Sequence, residues 1–209
     1  MANTPLEIIA QNRLVPVIAL EQSDLAVPLA EALIAGGLPI AEITFRTAAA
    51  EQVIRSMVAQ GGLCVGAGTV LSIAQVAPAQ EAGAHFIVSP GFNPAVVRRC
   101  LDLGLTVFPG TSTPSDLDRA LDHGLTAVKF FPAEAMGGVA MLKAIAAPYQ
   151  MMRFIPTGGI GPENLKSYLS LAPVIACGGS WMVKPQLFAD GNFTQVEQLT
   201  REAVATVQV

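Results

Sequence analysis

Short apolar runs alternate with amphipathic stretches eight times along this 209-residue chain, and that alternation limits its possible folds severely. The apolar runs stand near 14–20, 40–46, 63–68, 85–89, 105–108, 125–130, 153–157 and 174–178. They are rich in Val, Ile and Phe and flanked by Gly or Pro, as strands buried on both faces are. Helical patterns lie between them, near 24–36, 49–60, 72–83, 93–103, 114–123, 138–146, 162–171 and 193–207. Ser23-Asp24, Ser72, Asn93-Pro94, Thr113-Pro114 and Gly161-Pro162 mark helix starts. Gly36-Gly37, Gly61-Gly62, Gly83, Gly104 and Gly124 mark stops. A further helix from Pro5 to Asn12 precedes the first strand. Eight strand–helix units without a long linker predict an α/β fold, a (β/α)8 TIM barrel over residues 1–209 as a single domain with an extra N-terminal helix. An open doubly wound sheet is the alternative.

The chain is 52% hydrophobic and 13% charged. No apolar run is long enough to cross a bilayer, and none has a signal-peptide layout, so no membrane role is expected. The apolar excess fits a large core and a buried subunit interface. A net charge of −4 without a basic cluster disfavours nucleic acid. Cys64, Cys100 and Cys177 form no CxxC pair and are odd in number, which fits a reduced, cytoplasmic setting. Two histidines are too few for a zinc site built on several imidazoles. Neither stands near a strand's C-terminal end, as a Ser-His-Asp triad would need, and His123 suits a helix end.

Of four lysines, only Lys129 lies inside an apolar strand, Leu125-Thr126-Ala127-Val128-Lys129-Phe130-Phe131-Pro132. Lys143, Lys166 and Lys184 have polar or helical surroundings. A buried ammonium must be paired or lose its proton. A neutral lysine amine is the nucleophile that forms a Schiff base with a ketone. The other reading of Lys129 is a strand-end residue that snorkels to water.

Barrel active sites gather at the C-terminal ends of the strands. The second strand reads Glu42-Ile43-Thr44-Phe45-Arg46-Thr47, and alternation puts Glu42, Thr44 and Arg46 on one face. Those residues either serve a reaction or form a structural Glu42–Arg46 ion pair. Gly66 and Gly68 in the third strand would let a ligand approach the backbone, beside the Thr69 hydroxyl. The fourth strand ends Ser89-Pro90-Gly91. Thr69 and Pro90 can also be read as ordinary turn chemistry. Phe131-Pro132 would shield the amine from water. The seventh and eighth strands end in Thr157-Gly158-Gly159-Ile160-Gly161 and Cys177-Gly178-Gly179-Ser180-Trp181. Backbone N–H groups there, with a helix N-terminus, can hold a phosphate. An amine, a carboxylate, a guanidinium and a phosphate cradle together suit a phosphorylated keto acid.

These residues resemble the class I 2-keto-3-deoxy-6-phosphogluconate aldolases, which also act on 4-hydroxy-2-oxoglutarate. The matching blocks are Val15-Pro16-Val17-Ile18, Glu42 to Thr47, Val65-Gly66-Ala67-Gly68-Thr69-Val70 and Ser89-Pro90-Gly91. They continue with Pro109-Gly110, Lys129-Phe130-Phe131-Pro132-Ala133-Glu134, Pro156-Thr157-Gly158-Gly159-Ile160 and Gly178-Gly179-Ser180-Trp181, in family order. The resemblance implies Lys129 as the Schiff-base lysine and Glu42 as the general acid/base. It implies Arg46 and Thr69 at the pyruvate carboxylate, and Pro90 and Phe131 as pocket walls. Thr157 would read hydroxyl stereochemistry, while Gly159, Gly179 and Ser180, with Gly158 and Gly178 beside them, would hold the phosphate. It also implies a homotrimer. Two departures stand out. Glu21-Gln22 replaces an arginine of the related galactonate-type aldolases, which favours the gluconate epimer. Lys184 stands where the resemblance implies proline.

The expected chemistry is attack of neutral Lys129 on a ketone, with Glu42 moving protons. Arg46 would bind the carboxylate, and its charge would favour the neutral amine. The iminium supplies the polarisation, so neither metal nor cofactor is needed. Pyruvate and glyceraldehyde 3-phosphate would be the products. The rivals are a galactonate-type aldolase, a phosphosugar isomerase or epimerase using Glu42 as base without an adduct, and a non-catalytic phosphosugar binder.

Overall fold

The computed structural model describes residues 3–207. Eight parallel strands form a closed barrel, and nine α-helices lie among the described residues. The first four strands are Leu14–Ile18, Ile40–Thr44, Cys64–Gly68 and Phe86–Val88. The fifth runs from Thr106–Phe108 into Gly110–Thr111, broken at Pro109, whose nitrogen has no hydrogen to give to a ladder. Ala127–Phe130, Arg153–Pro156 and Cys177–Gly179 complete the set. The eighth strand pairs with the first, Leu14 opposite Cys177. Closure on the other side comes through Gly110 opposite Lys129 and through the bridges Phe154–Val174 and Thr157–Gly178. The expected barrel is therefore present, and the open-sheet alternative is not.

The helix expected before the first strand is α1, Pro5–Asn12. The Thr4 hydroxyl and the Glu7 carboxylate cap it reciprocally, and the Thr4 N–H holds the Glu7 carboxyl below its usual range. Ile9 on α1 is 1% exposed and shares a cavity of about 10 Å³, room for about one water, with Val15, Phe86, Val88, Phe108, Ile155, Glu42, Lys129 and Thr157. This helix thus stops the end of the barrel that lies below Glu42 and Lys129.

The barrel helices are α2 Ala26–Ala35, α3 Ala50–Gln60, α4 Ile73–Glu81, α5 Pro94–Asp102, α6 Pro114–Asp122, α7 Gly138–Ala146, α8 Leu165–Leu169 and α9 Thr194–Val207. Ser72, Asn93 and Thr113 cap α4, α5 and α6 as their chemistry suggests. His123 ends α6, its ring Nδ1–H donating to the Arg119 carbonyl, 2.8 Å away.

Three expectations need correction. Ser23 lies in a 3₁₀ turn, Ser23–Leu25, and makes no cap for α2. Helix α8 starts at Leu165 rather than near Pro162 and has five residues, because the Asn164 side chain is committed to the loop before it. The eighth strand begins at Cys177, and Val174 contributes only an isolated bridge.

Candidate active site

Lys129 and Glu42 come from strands 87 residues apart, yet Lys129 Nζ stands 3.2 Å from Glu42 Oε1. They are 6% and 4% exposed. Barrel closure forces the meeting, since alternation turns both side chains inward on the same level of the interior. The Lys129 backbone is fixed by its N–H to the Pro109 carbonyl, 3.0 Å, and by the Thr111 hydroxyl donating to its carbonyl, 3.0 Å. The amine also lies 5.2 Å from the centre of the Phe131 ring, which covers it. At the 3.2 Å separation of Lys129 and Glu42, a proton can pass directly between the amine and the carboxylate.

Gly66 and Gly68 owe their identity to neighbours within the protein rather than to a ligand. A Cβ on Gly68 would stand 2.3 Å from Glu42 Oε1, and one on Gly66 would stand 2.1 Å from the Phe86 ring. Gly68 makes room for the carboxylate and Gly66 for the core.

Thr44 is 1% exposed, donates to the Ile18 carbonyl at 2.9 Å and accepts from Arg46 Nε at 3.3 Å. Arg46 itself is exposed, just beyond the strand, and forms no ion pair with Glu42 among the described residues. The structural pairing of those two residues is therefore replaced by the Lys129–Glu42 pair. Thr69 adopts φ 57°, a left-handed conformation that a β-branched residue rarely takes. Such strain persists where the surroundings impose it, and it clusters at functional sites. Pro90 is half-buried. Its carbonyl leaves Gly110 no room for a side chain, a Cβ there falling 2.0 Å away.

On the far side, Thr157 is 7% exposed and bridges to Gly178, where a Cβ would stand 2.3 Å from the Thr157 hydroxyl oxygen. Gly158 and Gly159 have φ +103° and +75°. Gly178 and Gly179 are buried, whereas Ser180 is exposed. Among the described residues the N–H groups of Gly159 and Ile160 meet no acceptor within the protein. A 3₁₀ turn, Trp181–Val183, follows the second glycine pair, and only the short α8 follows the first. Any anion here would be held by loop N–H groups, not by the helix end expected from the sequence. Lys184 is exposed between two 3₁₀ turns. Glu21 and Gln22 line an open groove of about 470 Å³ with Leu20, Thr47, Pro185 and Phe188.

Asn164, Thr111 and the Glu134–Tyr168 contact were not singled out by the sequence, though Glu134 stands in a matching block. The one available signal was Asn164, three residues after Gly161, a residue type whose side chain bonds to nearby backbone. Among the described residues no cluster of three or more His, Cys, Asp or Glu side chains is arranged to hold a metal. No helix there is long and apolar enough to cross a membrane.

An inward lysine hydrogen-bonded to a carboxylate, under a rim of glycine loops on a (β/α)8 barrel, defines the class I aldolase kind of site. A family model described as KDPG and KHG aldolase matches residues 6–199. A 2-dehydro-3-deoxy-phosphogluconate aldolase of Treponema pallidum is 47% identical over 207 residues, covering 99% of both chains. The solved 2-keto-3-deoxy-6-phosphogluconate aldolase of Zymomonas mobilis with 3-phosphoglycerate superposes with a TM-score of 0.89 at 38% identity, covering 95% of this chain and 94% of its own. That of Legionella pneumophila, with pyruvate captured as a covalent carbinolamine, gives 0.92 at 35%, covering 96% and 98%. The chain belongs to the KDPG and KHG aldolase family.

Proposed function

We propose that this protein is a class I aldolase that cleaves 2-keto-3-deoxy-6-phosphogluconate to pyruvate and D-glyceraldehyde 3-phosphate, and that it also acts on 4-hydroxy-2-oxoglutarate. The observation that carries this reading is the buried 3.2 Å contact between Lys129 Nζ and Glu42 Oε1. The named activity of the Treponema relative supports it.

In this reading Lys129 attacks C2 of the keto acid and Glu42 returns a proton to the oxygen, giving a carbinolamine. Loss of water leaves an iminium. Glu42 then takes the C4 hydroxyl proton, the C4 oxygen becomes the aldehyde, and the C3–C4 electron pair moves onto the iminium. Glyceraldehyde 3-phosphate leaves with the C4 carbonyl. Protonation of the enamine at C3 and hydrolysis release pyruvate and restore the amine. Arg46 and Thr69 bind the carboxylate, with Pro90 and Phe131 walling the ketone. Thr157 meets the hydroxyl carbons, and Gly158, Gly159, Gly178, Gly179 and Ser180 receive the phosphate.

The chain acts as one domain in a cytoplasmic homotrimer. Exposed Leu71 and Ile73 supply apolar surface for a subunit contact, and the three buried free thiols suit a reducing compartment. Pyruvate release from the phosphorylated substrate, measured beside Lys129→Ala, tests the function. The wild type turns over and is trapped on Lys129 by borohydride with pyruvate, and the variant does neither. Pyruvate release without a trapped adduct would replace the Schiff-base route by a metal-dependent one, and substrate consumed without pyruvate release would point to an isomerase or epimerase.

A further inference from the structure

Tyr168 and Glu134 form a polar contact for which the proposed chemistry has no use. Tyr168 on α8 is fully buried, and its hydroxyl donates to Glu134 Oε1. Burial first, then the hydrogen bond and charge of Glu134, push this phenol well above its usual range, so it remains a donor. Glu134 is an exposed residue of the turn after the sixth strand. Its N–H donates to the Gly158 carbonyl at 3.1 Å, and that of Ala133 to the Thr157 carbonyl at 2.8 Å. The turn therefore runs alongside the loop that ends the seventh strand.

The stem of Glu134 carries the main consequence. A Cβ on Gly159 would lie 2.7 Å from both Cβ and Cγ of Glu134, so those methylenes form the surface on which Gly159 rests. Tyr168 holds the far end of that surface. Asn164 closes the other side, donating to the Gly159 carbonyl at 3.0 Å and accepting from the Gly161 N–H at 2.9 Å. Without these holds, two adjacent glycines with positive φ would sample many conformations. A free loop would have to be ordered each time an anion bound its N–H groups, and that ordering would weaken binding.

We propose that Glu134 and Tyr168 are positioning residues for the phosphate end of the substrate, acting through Gly159 without touching the substrate. This inference rests on the reading of Gly159 as a phosphate contact. Two substrates separate the role from a merely structural one, because 4-hydroxy-2-oxoglutarate has no phosphate.

Tyr168→Phe keeps the ring and removes the hydroxyl. It is expected to raise KM for the phosphorylated substrate about tenfold, the scale of one lost hydrogen bond to a charged group. The KM for 4-hydroxy-2-oxoglutarate and both kcat values stay unchanged. Glu134→Ala, which removes the stem, behaves alike. Glu134→Gln, which keeps the stem and an oxygen for the phenol, restores the KM. Borohydride trapping with pyruvate stays at the wild-type level in Tyr168→Phe and Glu134→Gln. Equal KM changes for both substrates, no change for either, a Gln variant as impaired as Ala, or loss of trapping in both conservative variants would overturn the proposal. If the wild type itself shows no lower KM for the phosphorylated substrate, the reading of Gly159 fails. If it does and Tyr168→Phe shifts nothing, only the positioning role fails.

Discussion

Replacing Gly68 by Ala puts a single methyl group against the Glu42 carboxylate. The new Cβ would stand 2.3 Å from Glu42 Oε1 and 2.7 Å from Glu42 Cγ, whereas ordinary van der Waals contact begins at 3.4 Å. Gly68 lies in a strand and has no positive φ, so the backbone accepts alanine without strain of its own. Relief must come from the Glu42 side chain, which has to move by about 1 Å, because its backbone is held in register with Gly66 and Val17. From 3.2 Å the Lys129–Glu42 contact would then stretch beyond hydrogen-bond reach. A catalytic group misplaced by that distance costs about a hundredfold in rate, and complete loss of a general base costs about 100- to 10,000-fold. Gly68→Ala should therefore lower kcat for pyruvate release about a hundredfold, with slower borohydride trapping. Gly66→Ala is the control. Its Cβ meets the Phe86 ring at 2.1 Å, so it should cost mainly stability, about 1–3 kcal/mol, read by chemical denaturation. A folded Gly68→Ala protein with kcat within about threefold of wild type would show that the carboxylate's position does not govern the reaction.

Thr44→Val removes the hydroxyl that joins the Ile18 carbonyl to Arg46 Nε, and should raise KM for the keto acid by about threefold to tenfold with little change in kcat. An unchanged KM would mean that Arg46 needs no such support. Burial pushes the thiols of Cys64 and Cys100 up to about 11 and that of Cys177 to about 12, from 9.0. The folded protein then holds protons that the unfolded chain has lost, so stability falls as pH rises from about 9 toward 11–12. Iodoacetamide at pH 8 should leave all three thiols unmodified until denaturant is added, and rapid labelling of the native protein would contradict their burial.

The glycine stops and the capping residues Ser72, Asn93 and Thr113 were legible because local signals set them within one turn of chain. Ser23 and Gly161-Pro162 misled for the same reason. Their local chemistry suits a helix start, but a 3₁₀ turn and the Asn164 bracket took precedence. The inward pair was half legible: one lysine and one carboxylate in apolar strands invite a meeting, but no local rule states a distance.

The sequence by itself determined the succession of eight strands and their helices, through hydrophobic period and turn residues, but left an open doubly wound sheet as the alternative to the barrel. It also placed an amine at position 129 and a carboxyl at position 42, each within an apolar strand. Tertiary structure alone decided that Glu42 faces Lys129 rather than Arg46, that Gly68 yields its space to Glu42, and that Tyr168 reaches Glu134. The physical reason is range. Backbone propensities act over a few residues, whereas which side chains share the interior follows from closing the barrel, which fixes strand register around the whole ring.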